Sequence, residues 1–143
     1  MSKSDTDDMI VGILETVKTI AVVGASNKPE RPSYQVMDFM QGQGFKVIPI
    51  NPGLAGGALL GETVYASLDD APGPFDMVDI FRASEAAGDV VRDTIRIADD
   101  KGVTVVWMQL GVQNDKAKKE AEDAGLVVVQ NRCPKKEIQR LGL

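Results

Sequence analysis

The chain has 143 residues, 43% hydrophobic and 26% charged, a composition that fits one globular domain large enough to bury a core. Its net charge of −5 argues against a general nucleic-acid binder, and no apolar run approaches the roughly 18 residues of a membrane span. With no histidine and one cysteine, it excludes Ser–His catalysis, phosphohistidine chemistry, a histidine metal site, a thiolate zinc site and an internal disulfide, so no metal is expected.

The polar, acidic start MSKSDTDD does not read as a signal peptide, and the lone cysteine suits a reducing compartment, so the expected location is cytoplasmic. Met9, Ile10, Ile13, Leu14 and Val17 recur at helical spacing behind Asp5, Asp7 and Asp8, which predicts a leading helix over about 5–17. Ile20 to Val23 is a continuous apolar run that suits a strand buried on both faces. It ends in a turn of small residues, Gly24-Ala25-Ser26. Pro32 and Ser33 mark the start of the next helix, with Ser33 as a candidate cap, and Val36, Met37 and Met40 form its apolar face up to Gly42 and Gly44.

Phe45 to Ile50 is the second predicted strand, with Pro49 expected where its ladder is ending and Asn51-Pro52 closing it. Gly53 to Glu62 is a glycine-rich loop, readable as a flexible connector or as a backbone wall around a flat ligand. A short third strand is expected within Thr63–Leu68, and a turn at Ala71–Pro74. Met77 to Phe81 is the fourth strand, and Ser84 is placed to cap a helix carrying Val91, Ile95 and Ala98 that stops at Lys101-Gly102. Val103 to Met108 is the fifth strand, followed by Gln109-Leu110-Gly111. Asn114 caps a charged helix ending at Gly125, Leu126 to Val129 is the sixth strand, and 131–143 is a short basic tail. This alternation predicts a single-domain α/β fold over 1–143, a Rossmann-like doubly wound sheet, mainly parallel, of five to six strands with helices on both faces.

Strand, small-residue turn and helix start together present free N–H groups and the positive end of a helix to an anion, most often a phosphate. The motif is not G-x-G-x-x-G, since Ser26 and Pro29 stand at its second and third glycine positions, and no G-K-[ST] follows. The acid expected near the end of strand two in NAD enzymes is absent, and Ile50-Asn51-Pro52 stands there instead. Lys28, Arg31, Arg82 and Arg132 lie at strand carboxyl ends, where a phosphorylated ligand would sit, although any one of them alone also reads as a solvated surface cation. Asp76 and Asp79 bracket strand four and read as a loop acid and a structural partner. Trp107 and Met108 read as core. Cys133 is either a thiol activated by neighbouring cations or an inert one. No nucleophile–base pair is present.

Taken together, AVVGASNKPERPSY, VIPINP with its glycine-rich loop, MVDIFRAS, VVWMQLGV and NRCPKKE resemble the small stand-alone CoA-binding proteins. Their Rossmann-like domain is also found at the amino terminus of the succinyl-CoA synthetase alpha subunit. The resemblance runs from about Lys18 to Glu137, with the blocks in the family's order. It implies that Gly24, Ala25, Ser26 and the following helix hold CoA phosphates, with Lys28 beside them and Arg31, Pro32 and Ser33 completing that wall. Asn51 and Pro52 would line the adenosine side, and Phe81, Arg82 and Ser84 the opposite wall. Gln109, Leu110 and Gly111 would face the ligand where the larger enzyme continues. The synthetase's phosphorylated histidine and second domain have no counterpart here.

The leading expectation is therefore a cytosolic, non-catalytic binder of coenzyme A or an acyl-CoA. One alternative is an NAD(P)- or other nucleotide-binding enzyme or redox sensor. Another is a CoA-responsive interaction module for a larger ligase or acyltransferase. The expected partner is a small-molecule CoA ligand, with no nucleic acid and no membrane; a homodimer or an acyl-CoA enzyme partner is left open.

Overall fold

A computed structural model describes residues 5–143; residues 1–4, part of the polar start read above, lie outside the described residues. Helix α1 (Asp5–Thr16) leads into β1 (Thr19–Val23), α2 (Pro32–Gly42) and β2 (Lys46–Ile50). A 3-10 turn (Pro52–Leu54) and a small hairpin, β3 (Ala58–Leu59) and β4 (Glu62–Thr63), follow. Then come β5 (Met77–Ile80), α3 (Ser84–Lys101), β6 (Val105–Met108), α4 (Asp115–Asp123), β7 (Val127–Val129) and α5 (Pro134–Leu141).

The central sheet has five parallel strands in the order β2-β1-β5-β6-β7. Chain direction across the sheet reverses between β1 and β5, which makes the crevice outside their carboxyl ends the expected ligand position. Buried residues of α3 and α4 pack on one face, and those of α1, α2 and α5 on the other. The strands are apolar nearly throughout because both faces are covered. No helix among the described residues is long and apolar enough to cross a membrane.

Three elements differ from the sequence expectation. The residues expected as a third strand, Thr63–Leu68, do not join the main sheet as a ladder. Thr63 belongs to the β3–β4 hairpin, and Tyr65 makes an isolated bridge to Ile50. The glycine-rich loop is not a free connector: Leu60 (φ 50°) and Gly61 (φ 79°) form the tight turn of that hairpin, and Gln41 of α2 donates to the Leu60 carbonyl at 3.0 Å. The basic tail contains a helix. Pro134 starts α5, Ile138 is buried, and Leu141 packs on the α1–α2 side of the core. Arg140 reaches Asp7 of α1 at 2.6 Å and Glu137 at 3.0 Å, while Arg132 reaches Glu137 at 2.7 Å. Burial alone would raise the Glu137 carboxyl, but hydrogen bonds from Arg140 and Arg132 hold it below the ordinary glutamate range.

Two smaller expectations are refined. Pro49 lies inside β2, opposite Val22, and is tolerated because β2 is an edge strand. Neither Ser33 nor Ser84 caps its helix through the side chain; the cap positions are Arg31 and Ala83, without side-chain hydrogen bonds. Asn114 does cap α4, its Oδ1 accepting from the Ala117 N–H at 3.0 Å. Asp76 is a structural partner, accepting from the Lys18 and Thr19 N–H groups at 3.0 and 2.9 Å and so joining the starts of β1 and β5.

Asp79 is the exception in this core. It sits mid-sheet between Val22 and Trp107, 1% exposed, and its Oδ1 has no hydrogen-bond partner. Burial pushes its carboxyl well above the ordinary aspartate range, against a smaller opposing hydrogen bond from the Ile80 backbone. The folded chain therefore holds this proton more tightly than the unfolded chain does. The stability so contributed is full below the unfolded value of about 3.9 and is lost as pH rises toward the raised folded value. Asp79→Asn removes the titration. In urea unfolding across pH 4–8, wild type should lose stability relative to Asp79→Asn by up to about 1.4 kcal/mol per pH unit within that window; parallel pH profiles would disprove it.

Candidate functional site

The site forms where β1 hands over to α2. Gly24 has φ +91°, and a Cβ built there would collide with the Phe81 carbonyl oxygen at the end of β5. A left-handed turn with no side chain is thus required for β1 and β5 to come together at their carboxyl ends. The Gly24 and Ala25 N–H groups both donate to the Ile50 carbonyl, at 3.1 and 3.2 Å. They are turned into the sheet, so anion donors in this wall have to come from further along the chain.

Those donors are present. Pro32 opens α2 with no side-chain cap, and the first N–H groups of a helix have no intrahelical partner. The Ser26 Oγ accepts from the Lys28 N–H at 3.1 Å, which leaves its own proton free to donate outward. The Arg31 N–H donates to the Lys28 carbonyl at 3.0 Å, holding the loop that carries both cations against the helix start.

A cavity of about 480 Å³ opens here, lined by Gly24, Ala25, Ser26, Asn27, Lys28, Arg31, Pro32, Ser33, Asn51, Gly53, Leu54 and Phe81. A second, of about 180 Å³, shares Gly24 and Asn51 with it and continues past Pro52, Ser67 and Arg82. A third, of about 450 Å³, shares Pro32 with the first and lies between α2 and α5, where Gln109, Leu110 and Cys133 line it. These three cavities run in sequence along the carboxyl edge of the sheet.

The candidates named from the sequence thus divide. The turn residues, Lys28, Arg31, Pro32, Ser33, Asn51 and Phe81 are brought together around one cavity. Pro52 and Arg82 lie in the adjoining one, and Gln109 in the α2–α5 cavity. Asn51 works inside the protein: its Nδ2 donates to the Ala25 carbonyl at 2.7 Å, and its Oδ1 accepts from the Gly53 N–H at 2.8 Å. It straps the end of β2 to the β1 turn. Ser84 and Gly111 are each bonded within the protein. The Ser84 Oγ accepts from the Gln113 N–H at 3.0 Å, and the Gly111 N–H donates to the Asn131 Oδ1 at 2.8 Å. Neither is among the residues lining the Gly24 cavity. Asn27, Gly53 and Leu54 were missed as individual residues; their signal was adjacency to the turn and to Asn51. The α2–α5 cavity was missed because α5 was read as a tail, although Pro134 before a Lys-Lys-Glu turn is a helix-start signal.

The charges at this edge are distinctive. Of the six arginines in the chain, Arg92, Arg96, Arg132 and Arg140 are ion-paired. Arg31 and Arg82 make no ion pair among the described residues, and both line the carboxyl-edge cavities. The lining of the Gly24 cavity contains no carboxylate. No cluster of metal-ligating side chains occurs among the described residues.

A family model described as a CoA binding domain matches residues 18–139. The chain is 35% identical over 123 residues to the YneT protein of Bacillus subtilis (strain 168), covering 86% of this chain and 87% of that one. A solved structure of a protein from Pyrococcus horikoshii OT3 is 37% identical with a TM-score of 0.88, each chain covered at 100%. The dinucleotide-forming acetyl-coenzyme A synthetase 1 of Ca. Korarchaeum cryptofilum is 25% identical with a TM-score of 0.69, over 85% of this chain and 28% of that one.

Gly24→Ala should cost more than about 1 kcal/mol in denaturant unfolding, because it combines a positive φ with a backbone collision. Gly44→Ala, which has φ +98° but open space around its Cβ, separates the two effects and should cost less. Equal losses would mean that the Phe81 approach carries no weight.

Proposed function

This chain belongs to the CoA-binding domain family, and on that premise we propose that it binds coenzyme A or an acyl-CoA along the carboxyl edge of its sheet without transforming it. The diphosphate lies at the start of α2, met by the helix N–H groups, the Ser26 hydroxyl, Lys28 and Arg31. Arg82, past Gly24, meets a further phosphate on the adenosine side, and the pantetheine arm leaves past Pro32 toward Gln109. The observation that carries this reading is that the two arginines left without carboxylate partners are the two at this edge. An unpaired guanidinium is a ready partner for a phosphate, and Arg offers it a bidentate fork.

Binding without turnover is supported by the lining of the Gly24 cavity, which offers no carboxylate, histidine or thiol as base or nucleophile. The end of β2 favours CoA over NAD, because the amide of Asn51 is consumed by Ala25 and Gly53 and no acid follows to hold a ribose.

Thermal unfolding with CoA, acetyl-CoA, NAD and NADP tests the ligand. A ligand at about 100 times its Kd stabilises the fold by roughly 2.7 kcal/mol. The expected result is a rise in Tm with CoA or acetyl-CoA and none with NAD; a rise with NADP alone would overturn the assignment. Arg31→Ala and Arg82→Ala should each weaken CoA binding in calorimetry by roughly 1–3 kcal/mol. Unchanged affinity in both would remove them from the site.

A further inference from the structure

Among the described residues, two buried side-chain oxygens have no hydrogen-bond partner, Asp79 Oδ1 and Gln109 Oε1. The sheet register brings them together. Asp79 stands opposite Trp107 in the β5–β6 ladder, and Gln109 lies two residues past Trp107, its N–H still donating to the Ile80 carbonyl at 3.2 Å. Alternation along the strands turns both side chains to the face covered by α1, α2 and α5, on diagonal positions of neighbouring strands. Strand spacing and rise put such Cα atoms roughly 8 Å apart, a span that an aspartate and a glutamine close between them. The two residues are 1% and 6% exposed. Two buried acceptors side by side are costly, and one proton held between them satisfies both. The titratable groups that other elements bring to this face are Tyr34 on α2, Glu137 bound to Arg132 and Arg140, and Cys133, Lys135 and Lys136 at the α2–α5 cavity. β1 and β6 meet Asp79 with Val22 and Trp107, and the buried residues of α1 are apolar.

Gln109 lines the α2–α5 cavity, and with its oxygen shut in, the amide nitrogen is the polar end it offers to that space. We propose that Asp79 is a positioning residue for the arm of the bound ligand, fixing through a hydrogen bond which end of the Gln109 amide faces the cavity; this rests on the CoA reading above. The Asp79 carboxyl, holding its proton, donates to Gln109 Oε1. The Gln109 Nε2 then donates into the cavity, to a carbonyl of the pantetheine arm. Loss of the Asp79 proton leaves two acceptors facing one another, so the amide turns over. Nε2 then donates to the carboxylate, and Oε1 meets the ligand carbonyl, acceptor against acceptor. Burial, which pushes the Asp79 carboxyl well above the ordinary aspartate range, keeps the donor form in place. Affinity for the arm is thus greatest below the folded value of Asp79 and falls as pH rises through it.

The experiment is calorimetry of the full chain with CoA and with adenosine 3′-phosphate 5′-diphosphate, which keeps the phosphates and lacks the arm. The ratio of the two Kd values, followed across pH, reports the arm alone. In wild type the preference for CoA should decline as pH rises. Asp79→Asn keeps a donor toward Gln109, so it should keep the preference and lose its pH dependence. Asp79→Val removes the donor and should weaken CoA binding by roughly fivefold, the loss of one hydrogen bond, while leaving the fragment unchanged. In a Gln109→Met background the same substitution should have no further effect. Thermal unfolding establishes that each variant is folded, and if Asp79→Val is not, the Asp79→Asn profile decides. A preference that matches in wild type and Asp79→Asn at every pH would overturn the pairing. So would a loss from Asp79→Val that is equal for CoA and the fragment, or equal with and without Gln109. Each of these leaves CoA binding standing, whereas no binding of either ligand would remove both readings.

Discussion

The fold depends on two backbones coming close at the carboxyl ends of β1 and β5. Gly24 turns with positive φ against the Phe81 carbonyl, where any side chain would collide. The Ile50 carbonyl then receives two N–H groups, from Gly24 and Ala25, and Asn51 straps the same turn from β2. Three strand ends are thereby locked into one rim, and the direction in which α2 leaves follows from that lock. The turn itself spends its N–H groups on the sheet. The anion-binding capacity lies one step further along, in the exposed helix start and the loop before it.

Electrostatics at the rim follow from how the carboxylates are distributed. The chain is net negative, and its acids pair with arginines on α3, α5 and the last connection. The exposed pairs on α3 contribute little to stability. The consequence of this pairing is selective: it leaves Arg31 and Arg82 without an ion pair at the rim among the described residues, Arg31 beside a cavity with no acid in its lining. A positive site on an acidic protein arises here from where carboxylates are missing rather than from an excess of cations.

Helix α5 changes the character of the site. It packs on the same face as α1 and α2, with Ile138 in the core and Glu137 held by two arginines. It closes the rim beyond Gln109 and converts an open strand end into a cavity between two helices. In the Korarchaeum synthetase the matched region is 28% of the chain; in this chain α5 occupies the end of the rim.

Much of this was legible in the sequence. Apolar runs separated by helical periods specified a parallel sheet covered on both faces, because only such a sheet buries strands without alternation. Gly24, Pro32 and the arginines at strand ends marked the rim, since each carries a local rule about turns, helix starts or charge. Three things were settled only in three dimensions. A two-residue strand such as β3 or β4 has too few residues to show a period, so the hairpin was hidden in a glycine-rich loop. A helix as short and charged as α5 is stabilised by Asp7 and the core, partners more than a hundred residues away, and local pattern does not report them. The partner of each polar group is likewise a tertiary fact: local sequence names Asn51, Ser84, Asp79 and Gln109 as polar, but only packing decides that the first two are consumed internally and the last two are left with an open oxygen.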